Sequence, residues 1–477
     1  MSVITAAIRA RHRLPWDPWG VAAAYTVLFT VLSALRYRYW IATGWDLGFY
    51  QQSLWQISRE GLGAFSSMAG YPVLADTASF VLLLLAPLYR SGGVFLLLLA
   101  QSAALGLGYP AIRYIARAMG VGTRPARLLG LIYLLYPALW GANLYDFHPD
   151  ALAVPLFFGA VLAVERRRWS WLFPLLLAAL AVKDTAALAV MGLGLALLLR
   201  RRTGWGLATA LLGATALGFD VFYFIPHLLH QPMAQWTTNY ASLGPTPAAG
   251  LTNLASHPWI AFSWVAERHA WRYLGYLLGP LLVVLWGRRA WRSPYWIPAA
   301  LIAEVNLLSS FTPQISPYNQ FSLFIIPFAF AAALDALRSS PVTPAPATSR
   351  WLALPLLLML VVGYREVRFQ AGIIPNNIPQ IQAAARLIPS RSPLVAQNYL
   401  IPHFANRPKL QDTNTLLQNT PVQALKLPRG TYVFLDTASS TGSTPYQELQ
   451  QLVTRLQGLD RARLLFASRG VLLYRIS

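Results

Sequence analysis

The chain has 477 residues, 56% hydrophobic and 12% charged, with a formal charge of +21 and no cysteine. A soluble domain carries about a quarter charged residues; half that fraction, set in long apolar runs, describes a polytopic helical membrane protein whose helices satisfy their own backbone hydrogen bonds in lipid. The missing cysteines exclude disulfides, thiolate metal sites and cysteine nucleophiles. The basic excess sits in short clusters between apolar runs, which the positive-inside rule explains better than nucleic-acid binding does.

Residues 8–13 resemble a signal n-region, but no small-residue cleavage site follows, so the first apolar run, 21–39, reads as a retained helix. Arg9, Arg11 and Arg13 set its start inside and send Trp45-Asp46-Leu47-Gly48-Phe49-Tyr50-Gln51-Gln52-Ser53-Leu54-Trp55 outside. Residues 44–75 read as a loop with amphipathic helices lying on the membrane, and 79–89 as a short interfacial or re-entrant segment. The run 94–115 returns to Arg113, Arg117, Arg124 and Arg127, and 128–140 leads out to Asn143-Leu144-Tyr145-Asp146-Phe147-His148-Pro149-Asp150. The run 151–164 goes in to Glu165-Arg166-Arg167-Arg168, 171–182 out to Lys183-Asp184, and 186–199 in to Arg200-Arg201-Arg202. Next, 207–225 leads out to a polar stretch holding His227, His230, His257, Glu267 and His269. The run 273–286 goes in to Arg288 and Arg289, 295–308 out to the loop 311–318, and 321–337 in to a Pro/Ser/Thr linker over 338–350. The run 351–364 makes the last outward span.

About eleven spans result, amino terminus inside and carboxyl terminus outside, with every strong arginine cluster between spans on the inner side. Beyond about 373 the composition becomes that of a soluble α/β domain. It reads as a helix over 379–387, strands over 394–398 and 431–435, an amphipathic helix over 445–456, and a hairpin of 463–467 and 471–476 turning at Ser468-Arg469-Gly470. The expected architecture is an α-helical polytopic membrane domain, 1–370, with outer loops at 45–90, 141–150, 226–270 and 311–318. A small extracytoplasmic α/β domain, 371–477, follows. No repeat signals a transporter with inverted halves.

Ionisable residues close to lipid are costly to place. Asp46 reads either as a helix N-cap or solvated loop carboxylate, or as a general base or orienting group for an acceptor hydroxyl. Asp146, His148 and Asp150 suit a divalent cation, a proton relay or hydrogen bonds to a sugar, while Pro149 and Asp150 alone would fit a plain helix start. Lys183 and Asp184 either neutralise each other or present Lys183 to a lipid phosphate with Asp184 orienting it. His227, His230, His257 and His269 lack metal-site spacing. Arg365, Arg368 and Arg407 near the outer face are phosphate candidates. Asp220 and Glu304 are the main charges deep within spans. No P-loop, GxGxxG after a strand or GxSxG is present, so ATP hydrolysis, dinucleotide redox and serine-hydrolase chemistry lack support.

Four blocks carry a resemblance to a known family. Asp46-Leu47-Gly48 through Trp55 resembles the DLGxxxQxLW signature of the membrane family DUF2079, and Asp146-Phe147-His148-Pro149-Asp150 through Pro155 its DFHPEALAVP block. Val182-Lys183-Asp184 with Ala186-Ala187-Leu188 resembles its VKEDAAL block, and Pro402-His403-Phe404-Ala405-Asn406-Arg407 its PHLSNR motif. Two positions depart from the pattern: Gln51 stands where relatives carry a second acid, and Thr77-Ala78-Ser79-Phe80 where they carry HFSP.

The family is grouped with the GT-C glycosyltransferases, so the resemblance implies sugar transfer from a polyprenyl-phosphate donor to an acceptor on the extracytoplasmic face of the plasma (inner) membrane. Asp46 would be the base or acceptor-orienting group. Asp146, His148, Asp150, Lys183, Asp184, His403 and Arg407 would bind substrate, with Lys183 and an outer arginine on the donor phosphate. The implied partners are that lipid-linked donor and membrane lipid, not nucleic acid. The resemblance fixes no cofactor, and a divalent cation is compatible. A transporter or lipid-handling protein would need polar residues deep in its spans, and a non-catalytic scaffold would function without Asp46.

Overall fold

The computed structural model describes residues 17–232, 234–268, 270–285, 290–316, 318–338, 353–438 and 445–477. Arg9, Arg11 and Arg13, His269, Arg288 and Arg289, Pro317 and the linker over 339–350 lie outside them.

Leu-, Ala- and Val-rich runs form helices because these side chains favour helix and no other open structure satisfies the backbone in lipid. Helix Pro18–Arg38 starts on Asp17, whose carboxylate accepts from the amides of Trp19 and Gly20, with Pro18 in the first turn. Its Val27, Leu28 and Val31 are 63%, 55% and 50% exposed, apolar side chains that suit contact with lipid. On the other face, Tyr25 and Phe29 pack into a core with Tyr109, Tyr133, Phe158 and Phe330.

Several helices follow the expected runs closely: Asp150–Glu165, Trp169–Leu180, Ala186–Leu199 and Trp296–Leu308. Three regions differ. Residues 79–115 form one long stretch, Val81–Gly106, continued by Gly108–Ala118, so the short apolar run opens a long helix instead of standing alone. The backbone breaks inside it at Gly93 (φ 58°, ψ −152°), a conformation open to glycine alone. The run 128–140 is divided into Thr123–Leu134 and Pro137–Leu144, since Pro137 has no amide to continue the first helix. The run 207–225 ends in a π-helical turn, Asp220–Leu228.

Among the described residues, three stretches are long and apolar enough to cross a membrane: Pro18–Arg38, Val81–Ala118 and Thr203–Leu228. Trp169–Leu180, Ala186–Leu199 and Trp296–Leu308 are apolar but shorter. The expectation of about eleven spans counts such short pieces, which fall below the roughly 20 residues of a full crossing.

The segment after the first helix makes a π-helical turn, Gly44–Gly48, a helix, Phe49–Glu60, and a small hairpin of β1 (Phe65–Ser66) and β2 (Tyr71–Pro72). The carboxyl-terminal sheet has strands β3 (Leu394–Ala396), β4 (Leu410–Asp412), β5 (Tyr432–Asp436), β6 (Ala462–Ser468) and β7 (Val471–Ile476), in the order β4-β3-β5-β7-β6. β3 runs parallel to β4 and β5, whereas β7 is antiparallel to β5 and β6. β5 is buried at all five positions because both faces of the sheet are covered. Val433 and Leu435 pack on Leu449, Leu452 and Leu456 of helix Tyr446–Gln457. Phe434 and Leu473 share a core with Trp40, Leu47, Tyr50 and Leu54. β4, at three residues, is too short for an alternating pattern and was not expected.

The sheet domain meets the segment after the first helix at two glycines. A Cβ on Gly44 would lie 2.7 Å from the Asn398 carbonyl oxygen, and one on Gly48 would lie 2.7 Å from Ile401 Cγ2. Only glycine lets these backbones approach so closely.

Candidate active site

The turn at Gly44–Gly48 points Asp46 at the loop that precedes helix Asp150–Glu165. Asp46 Oδ1 lies 2.9 Å from His148 Nε2, and Asp46 Oδ2 accepts from Thr43 Oγ1 at 2.6 Å. The Tyr145 hydroxyl also hydrogen-bonds Asp46, whose negative charge, followed by burial and Asp146, raises the Tyr145 pKa. Asp146 Oδ2 accepts from the Thr43 amide at 2.6 Å and from Thr43 Oγ1 at 2.9 Å. Arg36, at the end of the first helix, places Nη2 3.7 Å from Asp146 Oδ1. Burial pushes Asp146 up to about 6, although Arg36 and the Thr43 amide oppose the rise.

Asp146 has φ 97°, a left-handed backbone that an aspartate adopts at a cost of about 1–3 kcal/mol. Gln101 clamps it: Nε2 donates to the Asp146 carbonyl at 2.7 Å, and Oε1 accepts from the His148 amide at 2.7 Å. Ser102 Oγ and Tyr25 fix Asn143 just upstream. Asp46 keeps 18% side-chain exposure while His148 keeps 2%, so the acid is the member that solvent reaches.

Asp150, in the first turn of the next helix, accepts from Lys183 Nζ at 3.1 Å. Burial would lower the Lys183 ammonium, but Asp150 and Asp184 outweigh it and hold the pKa above the ordinary lysine value. Asp184 Oδ1 accepts from the Thr185 amide at 2.6 Å, and burial pushes this acid up to about 7. Asp150 Oδ2 and Asp184 Oδ2 are buried without a hydrogen-bond partner. Both acids and Lys183 line a cavity of about 250 Å³ whose other walls include Leu217, Phe222, Trp236, Tyr240, Ile302 and Phe321. Thr77 and Val81 brace the Lys183 turn through backbone bonds, Asp184 N to Thr77 O at 3.1 Å and Val81 N to Ala181 O at 2.7 Å. The segment that departs from the family pattern therefore shapes this turn through its main chain.

The two groups lie within electrostatic reach of one another. Tyr50 is raised first by burial and then by the charges of Asp150, Asp76 and Asp46 together. Asp46, Asp146, His148, Asp150, Lys183 and Asp184 thus form one polar region, although only the last three of the acids and bases, Asp150, Lys183 and Asp184, line the cavity.

His403 and Arg407 serve packing contacts. His403 stacks between Trp40 (3.6 Å) and Tyr37 (4.2 Å) and places Nε2 2.9 Å from the Tyr37 carbonyl oxygen; burial holds it down at about 4. Arg407 donates to the carbonyls of Phe404 and Ser392, and burial lowers it to about 10. Arg365 and Arg368 are exposed. Asp220 adds its charge to the surroundings of Asp184, whereas Glu304 lines a separate apolar cavity of about 520 Å³. Gln51 is buried near Tyr37 and Tyr89, to both of which it hydrogen-bonds.

Among the described residues, no group of three or more His, Asp or Glu side chains is gathered so as to hold a metal ion. Asp46 and His148 hydrogen-bond each other, and Asp146 accepts from the Thr43 amide. Sequence reading missed Arg36, Thr43, Gln101 and Tyr145. Arg36 and Gln101 carried a signal, being polar side chains at or within apolar runs. Thr43 and Tyr145 carried none.

A family profile described as "Predicted membrane protein (DUF2079)" matches residues 36–458. No curated protein matches the sequence. The fold is similar to that of ArnT from Cupriavidus metallidurans in the apo state, with a TM-score of 0.52 at 12% identity over 95% of this chain and 98% of that one. It is equally similar to the same protein bound to undecaprenyl phosphate, with a TM-score of 0.52 at 13% identity over 94% and 98% of the two chains.

Proposed function

This chain belongs to the DUF2079 family of predicted membrane proteins, and from that membership we propose that it is a membrane glycosyltransferase. It would transfer a sugar from a polyprenyl-phosphate donor to an acceptor on the extracytoplasmic face of the plasma membrane. Residues 1–370 would form the membrane domain and 371–477 an extracytoplasmic domain. The observation that carries the reading is the 2.9 Å pair of Asp46 and His148, assembled from two distant sequence blocks, within electrostatic reach of Asp150, which lines an apolar cavity with Lys183. The likeness to the fold of ArnT, which has been seen with undecaprenyl phosphate, supports a lipid-phosphate donor.

In this reading the acceptor hydroxyl loses its proton to Asp46 as its oxygen attacks the sugar. His148, with its proton on Nε2, and Thr43 hold the carboxylate in position. The polyprenyl chain lies along the apolar wall, and its phosphate competes with Asp150 for Lys183, whose charge stabilises the leaving group. The unpartnered Asp150 Oδ2 and Asp184 Oδ2 are acceptors suited to sugar hydroxyls.

The test is binding of undecaprenyl phosphate to the full-length protein in lipid nanodiscs, followed by native mass spectrometry. The wild type should bind it well above the neutral polyprenol, and K183M should weaken binding on the order of tenfold. Equal binding of phosphate and alcohol forms would overturn the reading.

A further inference from the structure

One hydroxyl stands between two carboxylates. Thr43 Oγ1 is 2.6 Å from Asp46 Oδ2 and 2.9 Å from Asp146 Oδ2. A threonine hydroxyl has one proton to donate. With both acids ionised, one of these short contacts would oppose lone pairs without a hydrogen, at a site where Asp146 is 3% exposed. Both contacts become full hydrogen bonds when the chain holds a second proton: the hydroxyl then donates to one acid and accepts from the other.

We propose that Thr43 joins Asp46 and Asp146 into a single proton-sharing unit in which Asp146 stores the proton that Asp46 takes from the acceptor. The proposal rests on the glycosyl-transfer reading above and names Thr43 as a positioning residue. As the acceptor oxygen bonds to the anomeric carbon, the bond from that carbon to the donor phosphate oxygen breaks, and its electron pair leaves with the phosphate. The acceptor O–H bond breaks and its proton passes to Asp46. Asp46 Oδ2–H then gives its proton to Thr43 Oγ1 while the Thr43 proton moves to Asp146 Oδ2. Two O–H bonds break, two form, and the negative charge returns to Asp46. After product leaves, the reverse shift delivers the proton to Asp46, the more exposed acid, and to water.

The surroundings suit this role. Asp146 faces Arg36 from the first helix, Thr43 and Asp46 from the π-helical turn, and Tyr145 on its own loop. Burial and Asp46 favour its neutral form, Arg36 and the Thr43 donors its ionised form, and the balance near 6 lets the acid fill and empty at neutral pH. His148 offers no second route, because Nε2 faces Asp46 and Nδ1 is buried without a hydrogen-bond partner.

The experiment is an infrared carbonyl-stretch titration of the full-length protein between about pH 8 and about pH 5, without ligand. Over the protonated-carboxyl absorption of Asp184 and Asp220, which every variant keeps, a component with a midpoint near 6 should be present in the wild type and lost in the wild-type-minus-D146N comparison. T43V should move that midpoint by about one unit or more, and T43S should restore it. In a transfer assay following labelled sugar out of the polyprenyl-phosphate pool, T43V should lose on the order of tenfold or more and T43S should recover. A T43V band identical to wild type in frequency and midpoint overturns the shared unit, even where the wild type transfers sugar normally. A T43V-sensitive band in a wild type that binds no polyprenyl phosphate leaves the shared unit standing and removes the transfer reading instead.

Discussion

Helix Asp150–Glu165 has a polar cluster at each end, and the two are built on opposite plans. At its carboxyl end Glu165 accepts from Arg200 and from the Tyr295 hydroxyl and lies 3.6 Å from Arg338. Arg200 also reaches Asp335 at 3.6 Å, and Asp335 accepts from Ser293 at 2.8 Å. Acids and arginines balance, and no atom of Glu165, Arg200 or Asp335 is left buried without a partner. At its amino end, among the described residues, Asp146 faces Arg36, Asp46 pairs with His148, and Asp150, Asp184 and Asp76 act on Lys183, while Asp150 Oδ2, Asp184 Oδ2 and His148 Nδ1 lack partners. One plan holds helices together. The other leaves charge and acceptors uncommitted, with pKa values displaced as in sites that bind and transfer protons.

The largest expected effect tests the amino end. Asp46→Asn keeps the size of the side chain and an oxygen for Thr43, so the purified protein should remain folded and bind lipid as wild type does. Sugar transfer should fall on the order of 10²–10⁴-fold, the range that general-base catalysis supplies. Normal transfer by this variant, followed with labelled donor in membranes, would reduce Asp46 to a structural acid like Glu165.

The carboxyl end should respond in the other currency, stability. Arg200→Met leaves Glu165, 6% exposed, without its main partner, which for a buried pair costs about 3 kcal/mol. Thermal unfolding in detergent should show this loss, and the double variant E165Q/R200M should recover much of it. Lipid binding at the amino end should be unchanged. If R200M instead abolishes lipid binding at full stability, the division of labour along the helix is wrong.

The sequence made the two ends unequally readable. Glu165 and Arg200 stood out only as members of arginine-rich inner clusters, and nothing in their spacing paired them across 35 positions. Helix runs such as Ala186–Leu199 were legible because an apolar run bounded by arginines has one economical structure in lipid. The acids and bases of the site were legible as costly residues beside lipid, but their groupings were not. Asp46 meets His148 only because the π-helical turn at Gly44–Gly48 and the left-handed Asp146 aim them together, and neither conformation follows from local propensity. Thr43 and Tyr145 look like ordinary loop residues until the fold places them. His403 looked like a site residue from its motif, yet it stacks between Tyr37 and Trp40 where the sheet domain meets the first helix.

The smallest expected effect is a slope. Asp184 is 2% exposed. Burial raises it from 3.8 to about 7, Lys183 opposes the rise incompletely, and Asp220 and Asp76 add to it. Between those values the folded chain holds a proton on Asp184 that the unfolded chain has released. Stability therefore falls as pH rises through this window, because the native state binds more protons there. Its contribution is complete below 3.8 and gone above about 7. Asp184→Asn keeps an oxygen for the Thr185 amide and removes the titration, so the unfolding temperature of wild type relative to D184N should decline from about pH 4 to about pH 7 without ligand. A difference that stays flat means that Asp184 is ionised throughout and fully compensated by Lys183. The amino end would then balance its charges as the carboxyl end does, and an excess of carboxylate would no longer distinguish the site.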